Sequence, residues 1–134
     1  MIQIKKFESD QQTSDFYAIM GEHFASLEHK KEFGGWQLYN KLDSIWFLLY
    51  DNEILIGFCA FFKKKDYYYL DNFMILKDFR KKGYSKILME ECLKHFNNIK
   101  ISVMTNNEIQ MRLLEKFCFI RRSLKGRYII YERS

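Results

Sequence analysis

The chain has 134 residues, 48% of them apolar, and includes 13 Phe and 9 Tyr. That length and apolar content fit one domain over residues 1–134 with its own hydrophobic core, and they exclude an intrinsically disordered chain. The formal net charge of +5 favours an anionic partner, either a phosphorylated small molecule or nucleic acid, although a basic solvated surface explains the charge equally well.

The cysteine spacing and the apolar runs bear on location. Cys59, Cys92 and Cys118 are widely spaced and odd in number. Because that spacing fits neither a disulfide framework nor a zinc site, we expect reduced thiols, no metal and a cytoplasmic location. The N-terminal segment lacks the apolar stretch of a signal peptide, and no apolar run approaches the roughly 20 residues of a membrane span. We therefore expect a soluble protein without a membrane partner.

The first half of the chain reads as a strand followed by helical segments. The alternation in IQIKKF, residues 2–7, predicts a strand. Residues 14–29 carry apolar side chains at helical spacing, with Ser14 or Asp15 as the cap. The Gly34–Gly35 pair is expected to end this helical region.

Three strands in succession are then predicted. The apolar runs at 44–50 and 53–62 flank Asp51–Asn52, which is expected to form the tight turn of a hairpin. A third strand covers 67–76 after a basic turn. Strands joined by such short turns form an antiparallel meander.

Beyond residue 80 the pattern alternates between helix and strand. We expect a helix over 85–96, a strand over 99–105, a helix beginning at Asn106 or Asn107, and two strands around Lys125–Gly126. The apolar residues of the second of these helices are expected in or near the core: Ile109, Met111, Leu113, Leu114 and Phe117. The strand–helix–strand unit predicts a parallel pair, hence a mixed α/β sheet with helices on both faces.

The loop before the 85–96 helix carries the clearest chemical signal. A helix N-terminus presents unpaired N–H groups and partial positive charge, and it binds anions readily. Arg80, Lys81 and Lys82 add cations there, and Gly83 lets the backbone approach a ligand closely. The spacing matches neither a P-loop nor a dinucleotide-binding glycine motif. The cations, the glycine and the helix start together predict a pyrophosphate cradle outside the carboxyl end of the preceding strand.

The same loop carries a family resemblance. RKKGYS, residues 80–85, is similar to the Arg/Gln-x-x-Gly-x-Gly/Ala signature of the GNAT N-acetyltransferases, which bind acetyl-coenzyme A. As in that family, it follows the fourth strand and opens the third helix. Residues 102–119, SVMTNNEIQMRLLEKFCF, resemble the family's next strand and helix, with Asn107 in register. The element order matches over nearly the whole chain, which implies the GNAT acyl-CoA N-acyltransferase fold, a mixed central sheet flanked by helices.

Three residues depart from the family pattern. Ser85 replaces the last Gly or Ala of the loop signature, and Cys118 replaces a later Gly. Leu114 stands where many members carry the Tyr that protonates the leaving thiolate. The resemblance therefore leaves the general acid open between Tyr84, Tyr128 and water.

The resemblance also implies where acetyl-coenzyme A binds. The backbone of the fourth strand would bond the pantetheine arm, an Asn would contact the arm from the other side, and N–H groups of the loop would hold the pyrophosphate. The residues concerned are Met74, Ile75, Leu76, Arg80, Lys81, Lys82, Gly83, Tyr84, Ser85 and Asn107.

The chemistry implied is direct transfer, in which an amine loses a proton and attacks the thioester. Asp71 is the candidate base, directly or through a water, and Tyr69 shares its face of the strand. Glu108 is a rival base. The structural alternatives are an Asp71–lysine pair, a core or rim tyrosine, and a favourable charge in a first helical turn.

The acceptor site is expected in the N-terminal helical region, where the resemblance points to Glu22, His23 or Trp36, although a structural or solvated role is the alternative for each. The leading function is N-acetylation of an amine on a small molecule or a protein, by a monomer or homodimer. A non-catalytic module that binds coenzyme A is the alternative that Leu114 favours. A nucleic-acid-binding protein is the weaker alternative, because the basic loop is better explained by pyrophosphate.

Overall fold

The computed structural model describes residues 1–33 and 38–134, so the expected break at Gly34–Gly35 and Trp36 lie outside the described residues. The described part of the chain contains seven strands and four α-helices. The strands are β1 Ile2–Phe7, β2 Ile45–Asp51, β3 Ile54–Lys63, β4 Tyr68–Ile75, β5 Ile99–Met104, β6 Ile120–Lys125 and β7 Tyr128–Arg133. The helices are α1 Ser14–Phe24, α2 Leu27–Glu32, α3 Tyr84–Cys92 and α4 Glu108–Lys116.

All seven strands form one mixed sheet in the order β1-β2-β3-β4-β5-β7-β6. Neighbouring strands are antiparallel except β4 and β5, which are parallel and are joined by α3. This confirms the predicted meander of β2, β3 and β4 and the predicted parallel pair. The last strand in the chain, β7, lies between β5 and β6 and pairs with both.

The β2–β3 hairpin turns one residue later than expected. Asp51 remains in β2 and pairs with Ile54, and the turn residues are Asn52 and Glu53, with φ values of 50° and 69°. Two successive residues with positive φ define the turn whose twist matches a hairpin. The prediction of Asp51–Asn52 as the turn was therefore wrong by one position.

The helical region before β2 forms two helices. α1 ends at Phe24, and α2 begins at Leu27 after a cap by Ser26, whose Oγ accepts a hydrogen bond from the His29 N–H at 3.1 Å. Thr13, rather than Ser14 or Asp15, is the N-cap residue of α1. Since Ser26 supplies a local oxygen acceptor, it favours a new helix start over continuation.

Helices cover both faces of the sheet, as predicted. α3 and α4 bury Leu88, Met89 and Leu114 on one face, together with inward residues of β2 to β5 and β7. α1 buries Phe16 and Met20 on the other face, against β2, β3 and β4. Each strand of the central meander therefore contributes to two apolar layers. Within the described residues, no helix is long and apolar enough to cross a membrane.

α3 ends earlier than the helix expected over 85–96. It stops at Cys92 because the Lys94 and His95 amides bond three residues back, His95 N–H to the Cys92 carbonyl at 3.0 Å, which tightens the last turn. Phe96 still reaches the core.

One residue of α4 is exposed although it was expected in or near the core. Ile109 is 78% exposed, because it lies on the outer side of the first turn of α4.

α4 ends in a Schellman motif. The Phe119 N–H bonds the Leu114 carbonyl at 3.0 Å, and the Cys118 N–H bonds the Glu115 carbonyl at 3.2 Å. Cys118 occupies the left-handed position of that motif, with φ 67°, and its side chain is exposed. This is the position where the family resemblance places a Gly, the residue that adopts this conformation without steric cost.

Candidate functional site

The sheet opens between β4 and β5. The two strands pair at Tyr68–Ile99 and Tyr69–Lys100, and in the described part of the chain no later residue of β4 has a partner on β5. Parallel strands normally stay in register along their length, so this divergence leaves one edge of β4 unpaired inside the sheet. It creates a gap with backbone polar groups along one wall.

A β-bulge shapes that wall. Between the pairs Ala60–Asp71 and Phe58–Met74, β4 contains two residues while β3 contains one. Asn72 takes the left-handed conformation, with φ 56°, and its N–H donates to Asp71 Oδ1 at 2.9 Å. A bulge bends its strand, and this one follows Asp71, two residues beyond the last β4–β5 pair at Tyr69.

A cleft of about 630 Å³ lies at this gap. Side chains from both diverging strands line it, including Tyr69 and Asp71 from β4 and Ser102 from β5. Asn107 borders it from the start of α4, and Tyr128 from the start of β7. Two of the predicted catalytic residues and one predicted cofactor contact are therefore brought to one cavity.

Tyr69 and Asp71 have defined partners in the cleft. The Tyr69 hydroxyl contacts the Ser102 hydroxyl across the gap. Burial raises the pKa of Tyr69, and the negative charge of Asp71 adds to that shift, while the hydrogen bond to Ser102 and the charge of Lys41 oppose it. Tyr69 is therefore a protonated hydroxyl at neutral pH.

Asp71 pairs with a lysine, which was the structural alternative predicted for it. The Lys41 ammonium donates to Asp71 Oδ2 at 2.6 Å, and the two side chains are 27% and 32% exposed. Since Asp71 Oδ1 is held by the Asn72 N–H, the carboxylate has a fixed orientation, with one oxygen directed at a cationic nitrogen.

The start of α3 has the properties expected of an anion site. Gly83 is the N-cap residue with φ 84°, and among the described residues no side chain caps this helix end. The first turn contains no acidic residue, and Lys81 and Lys82 precede it with exposed side chains. A β-carbon at Gly83 would meet no protein atom within 4 Å, so the surface above it is open.

Arg80 has a different place from the two lysines. Its Nε donates to the Ile75 carbonyl at 2.8 Å, and its guanidinium pairs with Glu32 of α2. Arg80 therefore connects the end of β4 to α2, and its charge is partly balanced within the chain. Lys81 takes a left-handed conformation, with φ 64°, which sharpens the loop ahead of Gly83.

Some backbone groups at the end of β4 that were predicted to bond the pantetheine arm already form hydrogen bonds within the protein. Met74 is buried in the apolar layer between the sheet and α1, and Ile75 is buried in the apolar layer between the sheet and the α3 and α4 helices. The Leu76 N–H bonds the Ile56 carbonyl on β3 at 2.8 Å. The stretch of β4 beside the gap is therefore anchored on its β3 side, and its unpaired side faces β5.

The start of α4 separates two predicted site residues. Asn107 is the N-cap: its Oδ1 accepts from the Gln110 N–H at 3.2 Å, and its side chain lies at the cleft. Glu108 is 78% exposed and pairs with Arg112 at 3.8 Å along the outer face of α4. The structure thus does not bring Glu108 together with Tyr69 and Asp71.

The tyrosines considered as general acids also separate. Tyr84 donates its hydroxyl to Asp51 Oδ2 at 2.8 Å, at the end of β2, whereas Tyr128 lines the cleft. Leu114 is completely buried in the α3 layer. Ser85 is half-buried in the first turn of α3.

Of the acceptor residues expected in the N-terminal region, Glu22 and His23 do not line the cleft. His23 Nδ1 lies 2.9 Å from His29 Nε2 with the two rings stacked, and Glu22 lies 3.6 Å from His23. Burial lowers the pKa of His23, and the nearby His29 lowers it further. Lys41 and Ser102 are among the cleft residues that sequence reasoning missed, because neither belongs to a motif.

The model of the acetyltransferase (GNAT) family matches residues 6–119 of this chain. The chain belongs to the GNAT acetyltransferase family. Among curated protein sequences none matches this GNAT chain. The predicted GNAT acyl-CoA N-acyltransferase fold, a seven-stranded mixed sheet flanked by helices, is confirmed.

Solved structures share this GNAT fold over almost their whole length. ElaA from Escherichia coli is 16% identical, with 100% of both chains covered and a TM-score of 0.73. The ribosomal-protein-S18-alanine N-acetyltransferase from Escherichia coli is 19% identical, covering 99% of this chain and 93% of that one, with a TM-score of 0.71. The PaiA N-acetyltransferase from Thermoplasma acidophilum, solved with coenzyme A, is 15% identical, covering 100% and 99%, with a TM-score of 0.68.

Proposed function

We propose that residues 1–134 form one N-acetyltransferase domain that transfers an acetyl group from acetyl-coenzyme A to an amine. The observation that carries this proposal is the gap between β4 and β5, which begins after the pair Tyr69–Lys100, together with the basic start of α3, the helix that joins these two strands. A free strand edge and a basic helix start suit a ligand with an amide-containing arm and a pyrophosphate. Coenzyme A has both parts.

The residues present fit that ligand. The N–H groups at the start of α3 lack a side-chain cap among the described residues, and Lys81 and Lys82 supply positive charge for phosphate oxygens. The unpaired edge of β4 offers backbone donors and acceptors to the amides of the arm. Asn107 would contact the arm from the opposite side of the cleft. The bound acetyl-coenzyme A would supply an acyl group activated as a thioester.

The protein's own groups would manage the protons. Asp71 would accept the proton that an ammonium group must lose before its nitrogen becomes nucleophilic. Tyr69, which stays protonated because burial raises its pKa, would orient groups in the cleft through its hydroxyl. Tyr128 is the tyrosine at the cleft that we propose for protonating the leaving group, since Leu114 has no ionisable group.

The acceptor would be an amine of a small molecule or a protein. The S18-alanine acetyltransferase is, by its name, an enzyme that acts on a protein, and we carry over only the class of reaction. We expect the reaction in the reducing cytoplasm, because Cys59, Cys92 and Cys118 are free thiols.

A second candidate is a GNAT-fold module that binds coenzyme A without catalysis. The burial of Leu114 favours it, because a completely buried aliphatic side chain replaces the residue type that many relatives use as the acid. The two candidates share the cofactor and differ in turnover.

Thermal unfolding with acetyl-coenzyme A, and with ADP as the control, tests the shared step. At 100 times its dissociation constant a ligand stabilises the native state by about 2.7 kcal/mol. We expect a rise in melting temperature with acetyl-coenzyme A well beyond that with ADP. Equal shifts, or none, would contradict the proposed cofactor.

Asp71→Asn separates the enzyme from the binding module. We expect turnover with an amine acceptor to fall by about 10²- to 10⁴-fold, the usual contribution of a general base, while the shift produced by acetyl-coenzyme A stays unchanged. Turnover is measured from the thiol released. An unchanged rate would remove Asp71 as the base, and a wild-type protein that binds the cofactor but releases no thiol with any amine would favour the module.

A further inference from the structure

The ammonium group of Lys41 is surrounded by a set of aromatic rings as well as by a carboxylate. Its Nζ lies 4.0 Å from the centroid of the Phe62 ring, 5.5 Å from that of Tyr39 and 5.9 Å from that of Tyr69. Asp71 Oδ2 accepts its hydrogen bond at 2.6 Å. We refer to Tyr39, Phe62, Tyr69 and Asp71 as the ammonium cage.

Such a set of groups selects a cation that can donate hydrogen bonds. A ring face within about 6 Å attracts an ammonium through its quadrupole, and several rings around one nitrogen form the aromatic cages that bind quaternary and methylated ammonium groups. The carboxylate adds a charged acceptor. A surface ion pair needs none of these rings, so the cage is more than a partner for one exposed lysine.

The walls of the cage are held by contacts that do not involve Lys41. The Phe62 and Tyr69 rings pack at 5.3 Å, and Tyr69 is held by Ser102 on β5. Asn72 Nδ2 donates to the Tyr39 carbonyl at 3.2 Å, and the Asn72 N–H holds the other oxygen of Asp71. The cage should therefore keep its shape when the Lys41 side chain leaves it.

The cage belongs to the cleft. Its four residues and Lys41 all line the 630 Å³ cavity at the gap between β4 and β5. Tyr39 is 53% exposed, so the cage is open to solvent on that side. Asp71 is the residue that we propose as the base, and any amine that reaches its Oδ2 must take the place now held by the Lys41 nitrogen.

We propose that the ammonium cage is the acceptor subsite, that it takes a primary ammonium on a slim unbranched alkyl chain, and that Lys41 is its built-in competitor. This inference rests on the proposed function. The Lys41 side chain itself shows the chemistry that fits: four methylene groups ending in a primary ammonium. Because Lys41 is tethered beside the cage, an external amine competes with a high local concentration of the same group.

The reaction at this subsite balances without a further reagent. The ammonium transfers one proton to Asp71, and its nitrogen lone pair forms the new N–C bond to the acyl carbon. The nitrogen, which becomes positively charged when it forms this bond, gives up a second proton. The C–S bond breaks, its electron pair leaves with the sulfur, and the sulfur takes up the proton that the nitrogen has lost. The product amide is neutral, so it loses both the ion pair with Asp71 and the attraction of the rings, which favours its release.

The first experiment uses binding alone, without acetyl-coenzyme A. Lys41→Ala removes three methylene groups and the ammonium, and n-propylammonium supplies those same atoms. We expect n-propylammonium to bind Lys41→Ala about tenfold or more tightly than wild type, as judged by the rise in melting temperature during a titration. Lys41→Ser, a second truncation of the same side chain, repeats the test in case the alanine variant folds poorly.

Three controls accompany the titration. The neutral ligand 1-propanol, of the same size, should not stabilise Lys41→Ala. The double variant Lys41→Ala with Asp71→Asn should lose the response. Lys100 is the matched lysine, with its Nζ 4.3 Å from the Tyr67 ring and 3.3 Å from Glu132, but it lies outside the cleft lining, and Lys100→Ala should bind n-propylammonium no better than wild type.

The second experiment measures transfer. With acetyl-coenzyme A bound, Lys41→Ala should form N-propylacetamide with a KM for propylamine about tenfold below that of wild type, because the competitor is gone. Equal binding by wild type, Lys41→Ala and Lys100→Ala would overturn the cage. Tight binding of n-propylammonium together with bound acetyl-coenzyme A but no N-propylacetamide would overturn the acceptor role. Failure of acetyl-coenzyme A to bind any variant would instead overturn the proposed function, and with it the acceptor role, while the cofactor-free titration would still report on the cage.

Discussion

The two helices that pack on the same face of the sheet begin in opposite ways. At the start of α4, Asn107 accepts a bond from the Gln110 N–H, and Glu108 adds a negative charge in the first turn. At the start of α3, Gly83 has no side-chain oxygen, and the first turn has no acid. The chain therefore satisfies the helix dipole of α4 with its own groups, and we propose that an external anion does the same at the start of α3.

The first turn of α3 is fixed by another contact. The Tyr84 hydroxyl reaches across to Asp51 at the end of β2, at 2.8 Å. This bond holds the helix start against the sheet without using the N–H groups at the helix end. A preformed donor set is what an anion site requires, and we propose that this is the use of the start of α3.

The largest effect is expected when the start of α3 receives an anion from the chain itself. Ser85→Asp puts a carboxylate at the second position of α3, where it should stabilise the free protein by about 0.3–1 kcal/mol through the helix dipole. The same change should lower the affinity for acetyl-coenzyme A by roughly a hundredfold or more, because like charges about 4 Å apart repel by about 4 kcal/mol at an effective dielectric constant of 20. Melting with and without the ligand measures both effects.

Ile109→Asp is the matched control for that variant. Ile109 holds the same second position in α4 and is exposed, so the change should affect helix stability alone. A wild-type response of Ser85→Asp to acetyl-coenzyme A would show that the start of α3 is not the anion site.

A milder test adds one methyl group. Gly83→Ala and Gly126→Ala both put a β-carbon at a positive φ, 84° and 60°, with no protein atom within 4 Å of it. Each should cost about 1 kcal/mol of stability, the left-handed penalty less the gain from a stiffer unfolded chain. In Gly83→Ala alone we expect weaker binding of acetyl-coenzyme A by isothermal titration. Equal affinities in the two variants would contradict a close approach of the ligand at Gly83.

The other end of α4 offers a stabilising change. Cys118 occupies the left-handed position of the Schellman motif and has an exposed side chain. Cys118→Gly should raise the free energy of unfolding by about 0.5–1 kcal/mol, because the β-carbon strain disappears and no buried contact is lost. Denaturant unfolding measures the gain. Cys118→Ser keeps the β-carbon and should show no gain, so a gain in both variants would point to the thiol rather than to the backbone.

The smallest expected effect concerns pH. The hydrogen bond from Tyr84 is the first cause that lowers the pKa of Asp51, and the N-terminal ammonium lowers it further. Because the folded pKa lies below the unfolded one, the bond contributes stability above about pH 4 and loses it as the pH falls through the folded value. Tyr84→Phe should therefore be less stable than wild type at pH 7, with the difference shrinking in acid.

Tyr17→Phe is the control for the pH test. The Tyr17 hydroxyl accepts a bond from Asn40 Nδ2 at 2.8 Å, and an amide does not titrate in this range. Its stability difference from wild type should stay constant from pH 7 to acid. A constant difference in Tyr84→Phe as well would show that Asp51 is not the titrating partner.

Most of the fold follows from the sequence because it depends on local patterns. Apolar runs joined by short turns predicted the meander, and the change of period after residue 80 indicated the parallel unit. The errors lie at element ends, where single hydrogen bonds decide. Asp51 stays in β2 because it pairs with Ile54. α3 ends at Cys92 because the following amides turn more tightly, which no composition pattern encodes.

The site was predicted in part for the same reason. The helix start after Gly83 and the cap at Asn107 depend on neighbouring residues, and the sequence predicted a helix start at this loop and a cap at Asn106 or Asn107. The Lys41–Asp71 contact joins residues 30 positions apart, and the bulge at Asn72 depends on how β4 pairs with β3. Neither leaves a trace in spacing, so the content of the cleft required the three-dimensional structure.

The position of β7 has a consequence for how the sheet is assembled during synthesis. β7 follows β6 in the chain, but in the sheet it lies between β5 and β6, and β6 is the edge strand. Until Tyr128–Arg133 leaves the ribosome, β5 has an open outer edge and β6 has no strand to join. The meander of β2, β3 and β4 can pair earlier, because its contacts are local in sequence. The wall of the cleft that carries Asp71 can therefore form before the wall that carries Ser102 is fixed.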